Sequence, residues 1–258
     1  MNYPREYPLI VCARSFVVLW LSARSGWWFR RRQGALDQEL REDFSVIQAA
    51  TLTLLGLIIG FSFSMATSRY DQRKNYEEAE ANAIGTEFVR ADLLPDADAA
   101  HVRGLLRKYL DERVLFYEAR DERELQQINA RTAQLQTELW TALRAPAAAQ
   151  PTPPLIAQVV MGMNDVLNSQ RDTQAGYWNR IPTAAWGLMA AIAIGCNLLV
   201  GYGSRSAKAG SKLFPILPLI VSIAFMLIAD IDSPRHGMIR ISPQNLISVA
   251  ESLQPGTP

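Results

Sequence analysis

Cysteine is nearly absent. Cys12 and Cys196 are the only two in 258 residues and both lie in apolar blocks, so neither a disulfide framework nor a structural zinc site can be built. Histidine is as scarce: His101 and His236 have no Ser, Cys or carboxylate partner at a spacing that nucleophilic catalysis would recognise. No Gly-rich turn precedes a Lys-Ser/Thr pair, which excludes a phosphate loop. These absences argue against an enzyme, and no metal or cofactor is expected. Excess charge is missing too. The chain has 26 Lys+Arg against 25 Asp+Glu, a formal net charge of +1, and its one dense basic run is Arg30, Arg31 and Arg32, so no nucleic-acid partner is expected.

What is present is strong alternation. Half of the residues (49%) are hydrophobic and 20% charged, yet mean hydropathy is near zero because apolar blocks alternate with charged ones. That excludes an ordinary soluble globule. From Phe44 to Ser68 no charge interrupts the chain, more than the roughly 20 residues needed to cross a bilayer core of about 30 Å. Ile181 to Ser204 is a second uncharged stretch, with Trp186 and Tyr202 near its ends, where amphipathic rings favour the interface. Leu213 to Ala229 is shorter and carries Pro215 and Pro218 in its first turns; it reads as a further, kinked span. The Gly- and Ser-rich loop from Gly203 to Lys212 makes these two an antiparallel hairpin. The N-terminal block Pro8 to Ala23 contains Arg14, which costs about 2.5 to 3.5 kcal/mol at a helix centre but lies near enough to an end to snorkel. No small-residue cleavage pattern follows it, so it reads as a span rather than a signal peptide.

Residues 69 to 180 are charged and helix-favouring. Tyr76, Ala79, Ala83, Ile84 and Phe88 recur at helical spacing, so the second span continues as one helix from about Ser45 to Leu93, roughly 70 Å long. Val102, Leu105, Leu106, Tyr109, Leu110 and Val114 mark the next helix; Leu125, Ile128, Leu135, Leu139 and Leu143 a third; Ile156, Val159, Met163 and Val166 a fourth. Ala145 to Pro154 reads as a semi-extended Pro/Ala-rich connector. The expectation is an all-α membrane protein of four transmembrane helices with a helical-bundle insert between the second and third. Its segments are 1–43 (first span and basic connection), 44–68 (second span), 69–180 (extramembrane insert), 181–204 (third span), 213–231 (fourth span) and 232–258 (C-terminal tail). The short connections hold eight Lys/Arg (Arg24, Arg30, Arg31, Arg32, Arg41, Arg205, Lys208, Lys212) against Arg5, Arg235 and Arg240 on the other side. The positive-inside rule then puts the termini and the insert outside the cytoplasm.

Two constellations stand out. Ala49, Thr53, Gly56, Gly60, Ser64 and Thr67 fall within an arc of roughly 80° on the second span. A small face lets helix backbones approach, and a matching stripe in the third span, Ala184, Gly187, Ala191 and Gly195, suggests that the two meet. The same small, hydroxyl-bearing face suits the lining of a pore in an oligomer, with Thr53, Gly56, Gly60, Ser64 and Thr67 as lining residues. At the end of the last span, Asp230, Asp232 and Arg235 form a charged interfacial motif whose acids are expected to be satisfied by Arg235 or water; a metal site would need more oxygen ligands. Glu77, Glu78 and Glu80 read as a solvated helix face.

Several strings taken together are more specific: Leu55-Gly56-Leu57, Gly60-Phe61-Ser62-Phe63-Ser64-Met65, Arg69-Tyr70-Asp71, Glu80-Ala81-Asn82-Ala83-Ile84-Gly85-Thr86, Arg90-Ala91-Asp92-Leu93-Leu94-Pro95, Arg180-Ile181-Pro182 and the run from Ala229 to Ile241. In this order, over about residues 44 to 250, the chain resembles the bestrophin-like family of bacterial membrane proteins, mostly of unknown function. The resemblance implies four spans with a helical insert. By its name it also suggests similarity to bestrophins, which are pentameric anion channels whose second span lines a narrow neck and whose helical extension is cytoplasmic. The Ile-Pro-Phe type of neck gate is absent here, and the acidic calcium clasp of the animal channels has no counterpart. The function expected is a homo-oligomer of channel-like architecture in the bacterial plasma (inner) membrane, in contact with the lipid bilayer, passing anions passively. The alternative is a non-conducting anchored protein whose insert binds another protein.

Overall fold

The computed structural model describes residues 7–33, 38–149, 153–204 and 214–254. All regular structure among them is helical, and no strand occurs there. The elements are α1 (Pro8–Gln33), α2 (Gln38–Arg90) followed by a 3-10 turn (Ala91–Leu93), α3 (Asp96–Glu118), α4 (Glu122–Ala149), α5 (Pro153–Trp178), α6 (Thr183–Gly203), α7 (Ile216–Asp232) and α8 (Gln244–Ser252). Pro95, Pro182, Pro215 and Pro243 stand at the N-caps of α3, α6, α7 and α8, where a missing amide hydrogen breaks no helical bond. The chain divides into two compact units, Met1–Tyr70 with Arg180–Arg240 and Asp71–Asn179 with Ile241–Pro258.

The long helix begins and ends earlier than its periodicity predicts, at Gln38 and Arg90 instead of about Ser45 and Leu93. Ala145 to Pro154 is mostly helical rather than semi-extended: α4 runs through Pro146 to Ala149 and α5 starts at Pro153. Alanine has the highest helix propensity, and a proline in the last turn forfeits a single backbone bond, so the Ala-rich flank wins. Residues 150–152, most of the 203–212 loop and Leu213 lie outside the described residues. The expected tail after 232 contains α8, whose Leu246 is fully buried.

Among the described residues three stretches are long and apolar enough to cross a membrane: Pro8–Arg32, Arg41–Leu93 and Pro154–Gly203, the apolar part of the last being α6. Among the described residues α7 spans 17, about 26 Å at 1.5 Å per residue. α1 packs along α6 and α7, and Leu19, Leu55, Ala66, Met189, Ala193, Phe225 and Ile228 form a common buried cluster. The two small stripes do not meet. A Cβ built on Gly56, Gly60, Gly187 or Gly195 would have nothing within 4 Å. α2 touches α6 through other residues: Cys196 Sγ donates to the Thr51 carbonyl at 3.2 Å, and Phe44 lies against Tyr202 with ring centroids 5.5 Å apart. The close backbone approach falls between α1 and α6, where a Cβ on Gly201 would run into the Ala23 carbonyl and one on Gly26 into that of Leu198. Ser22 Oγ reinforces this seam by donating to the Ile194 carbonyl at 2.8 Å. Small residues at 22, 23 and 26 thus give α1 the slot that the stripe of α2 was expected to fill.

The second unit has an apolar core from the stripes of α3, α4 and α5, with Val102, Leu106, Tyr109, Leu139, Val159, Met163 and Val166 fully buried. Against them α2 turns a face that is mostly charged. Arg73, Glu77, Glu80, Ile84 and Glu87 share an arc of roughly 80° and are all buried, so Glu77 and Glu80 are not part of a solvated face; Glu78 is exposed as expected. Burial of a carboxylate requires donors, and they are supplied. Glu80 accepts from Arg113 Nε at 2.5 Å and Thr173 Oγ1 at 3.0 Å. Glu77 accepts from the Leu246 amide at 3.0 Å and Asn245 Nδ2 at 2.6 Å, capping the N-terminus of α8. At the other end of α8, Arg107 Nε donates to the Leu253 carbonyl at 3.0 Å.

Glu87 differs from its neighbours. Neither of its oxygens has a hydrogen-bond partner among the described residues, and it lies over Gly162, where a Cβ would collide with the carboxylate. Burial pushes its pKa up from 4.5 to about 8, against the pull of Arg90 and with a further push from Asp165. The folded-state value exceeds the unfolded one, so this group's contribution to stability is complete below pH 4.5 and is lost as the pH rises to 8. At about 1.4 kcal/mol per pH unit, the melting temperature should fall by roughly 5 °C between pH 6 and 8. Glu87→Gln should remove that slope and melt higher than wild type at pH 9; a slope unchanged in the variant would contradict the assignment.

Candidate functional site

Two sets of residues were singled out by sequence, and both lie in the first unit. On α2 the buried arc is Leu55, Ser62 and Ala66, with Leu52, Ile58 and Ile59 half-buried against the cluster. Thr53, Gly56, Gly60 and Ser64 are exposed and Thr67 is half-buried, all turned away from the protomer's own core. The structure therefore brings the five together on one open face. Leu54, Phe61 and Met65 are exposed as well.

Chemically the face is unequal along its length. Thr53 Oγ1 donates to the Ala49 carbonyl at 2.9 Å and Thr67 Oγ1 to the Phe63 carbonyl at 3.0 Å, so both hydroxyl protons are used within the helix. Ser64 Oγ has no hydrogen-bond partner among the described residues and keeps its proton available for a passing acceptor. No carboxylate occurs between Asp43 and Asp71.

The acids at the end of α7 accept hydrogen bonds from main-chain amides. Asp230, 1% exposed, accepts from the Met238 amide at 2.6 Å and the Ile239 amide at 3.0 Å, shaping the chain that follows the helix. Asp232 accepts from the Ile181 amide at 3.0 and 3.3 Å, directly before the first turn of α6. A carboxylate at a helix N-terminus faces unpaired amides and the positive end of the dipole, which is why main-chain donors serve here. Asp232 also borders a cleft of about 150 Å³ lined by Arg180, Ile181, Thr183, Trp186, Ala229 and Ser233. Arg235, three residues after Asp232, is half-buried. Among the described residues no group of three or more His, Cys, Asp or Glu is placed to hold a metal ion.

Sequence reasoning missed the buried polar network of the second unit. Glu80 accepts also from Arg113 Nη2 and Tyr117 Oη, both at 3.4 Å, and Arg113 stacks over Phe116 at 4.3 Å. Burial opposes the Arg113 charge, but Glu80 and the neighbouring tyrosines hold its pKa above the ordinary value; burial and Glu80 also push Tyr109 and Tyr117 up. The signal available was the spacing of Arg73, Glu77, Glu80 and Glu87 on the same arc as Ile84.

An all-helical chain with helices of membrane-spanning length and a second helical unit is an integral membrane protein of multi-helix type. More narrowly, the Bestrophin-like domain family model matches residues 16–246, and the chain belongs to that family. Solved structures similar to it include a bacterial bestrophin homologue from Klebsiella pneumoniae in a single-substitution form (12% identity, covering 95% of this chain and 97% of that one, TM-score 0.63). The same homologue phased with zinc gives 12% identity, 95% and 96% coverage and a TM-score of 0.63. A third, described only as a membrane protein, gives 11%, 95%, 97% and 0.63. At these identities the likeness is one of fold, and the fold is bestrophin-like. No curated protein matches the chain.

Proposed function

We propose that the protein is a subunit of a homo-oligomeric channel in the bacterial inner membrane that passes anions along the small face of α2, with Thr53, Gly56, Gly60, Ser64 and Thr67 lining the path. Four spans, 8–32, 44–68, 181–204 and 213–231, with 69–180 as an extramembrane insert, carry it. The observation that supports this reading most is the open side of the stripe: its glycines have free space and its serine a free hydroxyl. Bestrophins, to which the family is related by name, are anion channels. A ring of these helices would present dipoles and hydroxyls without the acidic ring of cation pores. No catalytic step is proposed.

Purified protein in liposomes with a chloride or nitrate gradient tests the reading. Anion flux is expected; Ser64→Trp should reduce it at least several-fold and Met65→Leu should leave it near wild type. Flux indifferent to Ser64, or none from an assembled oligomer over several pH values and divalent ions, would reject this path. A monomer or dimer by mass in detergent would favour the anchored protein whose insert binds a partner.

Topology is proposed from charge, with eight Lys/Arg on the short connections against three at the termini. A reporter fused after Ala209 should be cytoplasmic and one after Gln150 should not. Cytoplasmic signal at Gln150 would reverse the orientation to that of bestrophins.

A further inference from the structure

The C-terminal half of α1 carries a ladder of alternating indoles and guanidinium groups. Trp20, Arg24, Trp27 and Arg31, at spacings of four, three and four, fall within an arc of roughly 60°. Arg24 lies over both Trp20 and Trp27, 5.9 and 5.6 Å from the ring centroids, and Arg31 is 4.7 Å from that of Trp27. Beside this ladder Arg32 stacks on Trp28 at 3.6 Å. Five of these six side chains are exposed and Trp27 is half-buried.

Stacking uses the face of a guanidinium and leaves its N–H edge free, the edge that pairs with a phosphate in bidentate fashion. It also holds the long side chain in place before a ligand arrives, which lowers the ordering cost of binding. Among the described residues no partner takes that edge. α1 and α6 contain no Asp or Glu, Asp230 and Asp232 of α7, which also packs on α1, accept from main-chain amides, and no ion pair of Arg24, Arg31 or Arg32 occurs among the described residues. The ladder sits at the basic end of a helix long and apolar enough to cross a membrane. The phosphates met there are those of lipid headgroups, and the indoles are suited to the same depth.

We propose that this face of α1 is a binding site for anionic phospholipid, with the guanidinium edges of Arg24, Arg31 and Arg32 on the headgroup phosphate and the indoles against the glycerol and upper acyl region. The site depends on α1 lying in the membrane and on no part of the pore reading. Basic residues near a charged lipid surface contribute about 1 kcal/mol each, so three give a selectivity a measurement can resolve.

The full chain purified in detergent is titrated with phosphatidylglycerol or with phosphatidylcholine of the same acyl chains, and retained lipid is counted by native mass spectrometry. At least fivefold preference for phosphatidylglycerol is expected, weakening with salt. The exposed double substitution Arg31→Gln/Arg32→Gln should bring the ratio close to one while the melting temperature stays within a few degrees of wild type. Arg14→Gln, on the same helix but outside the ladder, should keep the preference. Equal retention of the two lipids, or a preference unchanged in the double variant, overturns the proposal. So does a change of oligomer mass in that variant, which would make the face a subunit contact instead.

Discussion

Gly201→Leu and Gly26→Leu should each leave little folded protein in detergent, whereas Gly56→Leu and Gly60→Leu should leave the protomer folded. At the first two positions even a Cβ would overlap a carbonyl of the opposing helix, Ala23 for Gly201 and Leu198 for Gly26, and Gly26 is also 2.9 Å from the Tyr202 amide nitrogen by the same construction. A backbone cannot rotate out of the way as a side-chain tip can, so α1 and α6 must separate. Overpacking within an adaptable core costs about 1 to 3 kcal/mol, and a rigid helix seam should exceed that range. Separation also strips the Ser22 hydroxyl of its Ile194 acceptor. In a membrane no hydrophobic drive re-forms the pair, since lipid tails are as apolar as the helices, and tight packing is most of what holds it. The check is the monodisperse fraction on size exclusion together with the melting temperature. Wild-type values for Gly201→Leu would mean that the seam is not as close as described. If Gly60→Leu keeps the melting temperature and changes only the oligomer, the stripe of α2 faces another copy.

The contrast between these glycines shows what could and could not be read beforehand. Periodicity identified the apolar stripes of α3 and α5, because Val102, Leu106, Val159, Met163 and Val166 face one way in any amphipathic helix whatever it packs on. It identified the small stripe of α2 as well, but not what that stripe meets, since small residues suit a helix partner, a lipid and a pore alike. The partner α6 does choose, at Ala23 and Gly26 of α1, is set by distance in space. The carboxylates were misread for a related reason. Glu77 and Glu80 look solvated until their donors are found 169 and 33 residues further along the chain. Asp230 and Asp232, read as interfacial acids near Arg235, also accept from main-chain amides that carry no mark in the sequence.

Glu80 and Arg113 should be the most strongly coupled pair in the second unit. Both side chains are fully buried, Nε of Arg113 is 2.5 Å from Glu80 Oε1, and the second carboxylate oxygen is shared among Arg113 Nη2, Thr173 and Tyr117. Arg113→Met would keep most of the volume and the contact with Phe116 but strand a carboxylate with two hydroxyl donors, and breaking one side of a buried pair costs about 3 to 5 kcal/mol. A drop of roughly 10 °C in melting temperature follows. Glu80→Leu should be as damaging, because among the described residues the guanidinium left behind pairs with no other carboxylate. The double variant Glu80→Leu/Arg113→Met removes both charges and their desolvation together, and should recover at least half of the loss. Losses that simply add in the double variant would mean that the two groups act independently and that the stability of this unit rests on its apolar stripes alone.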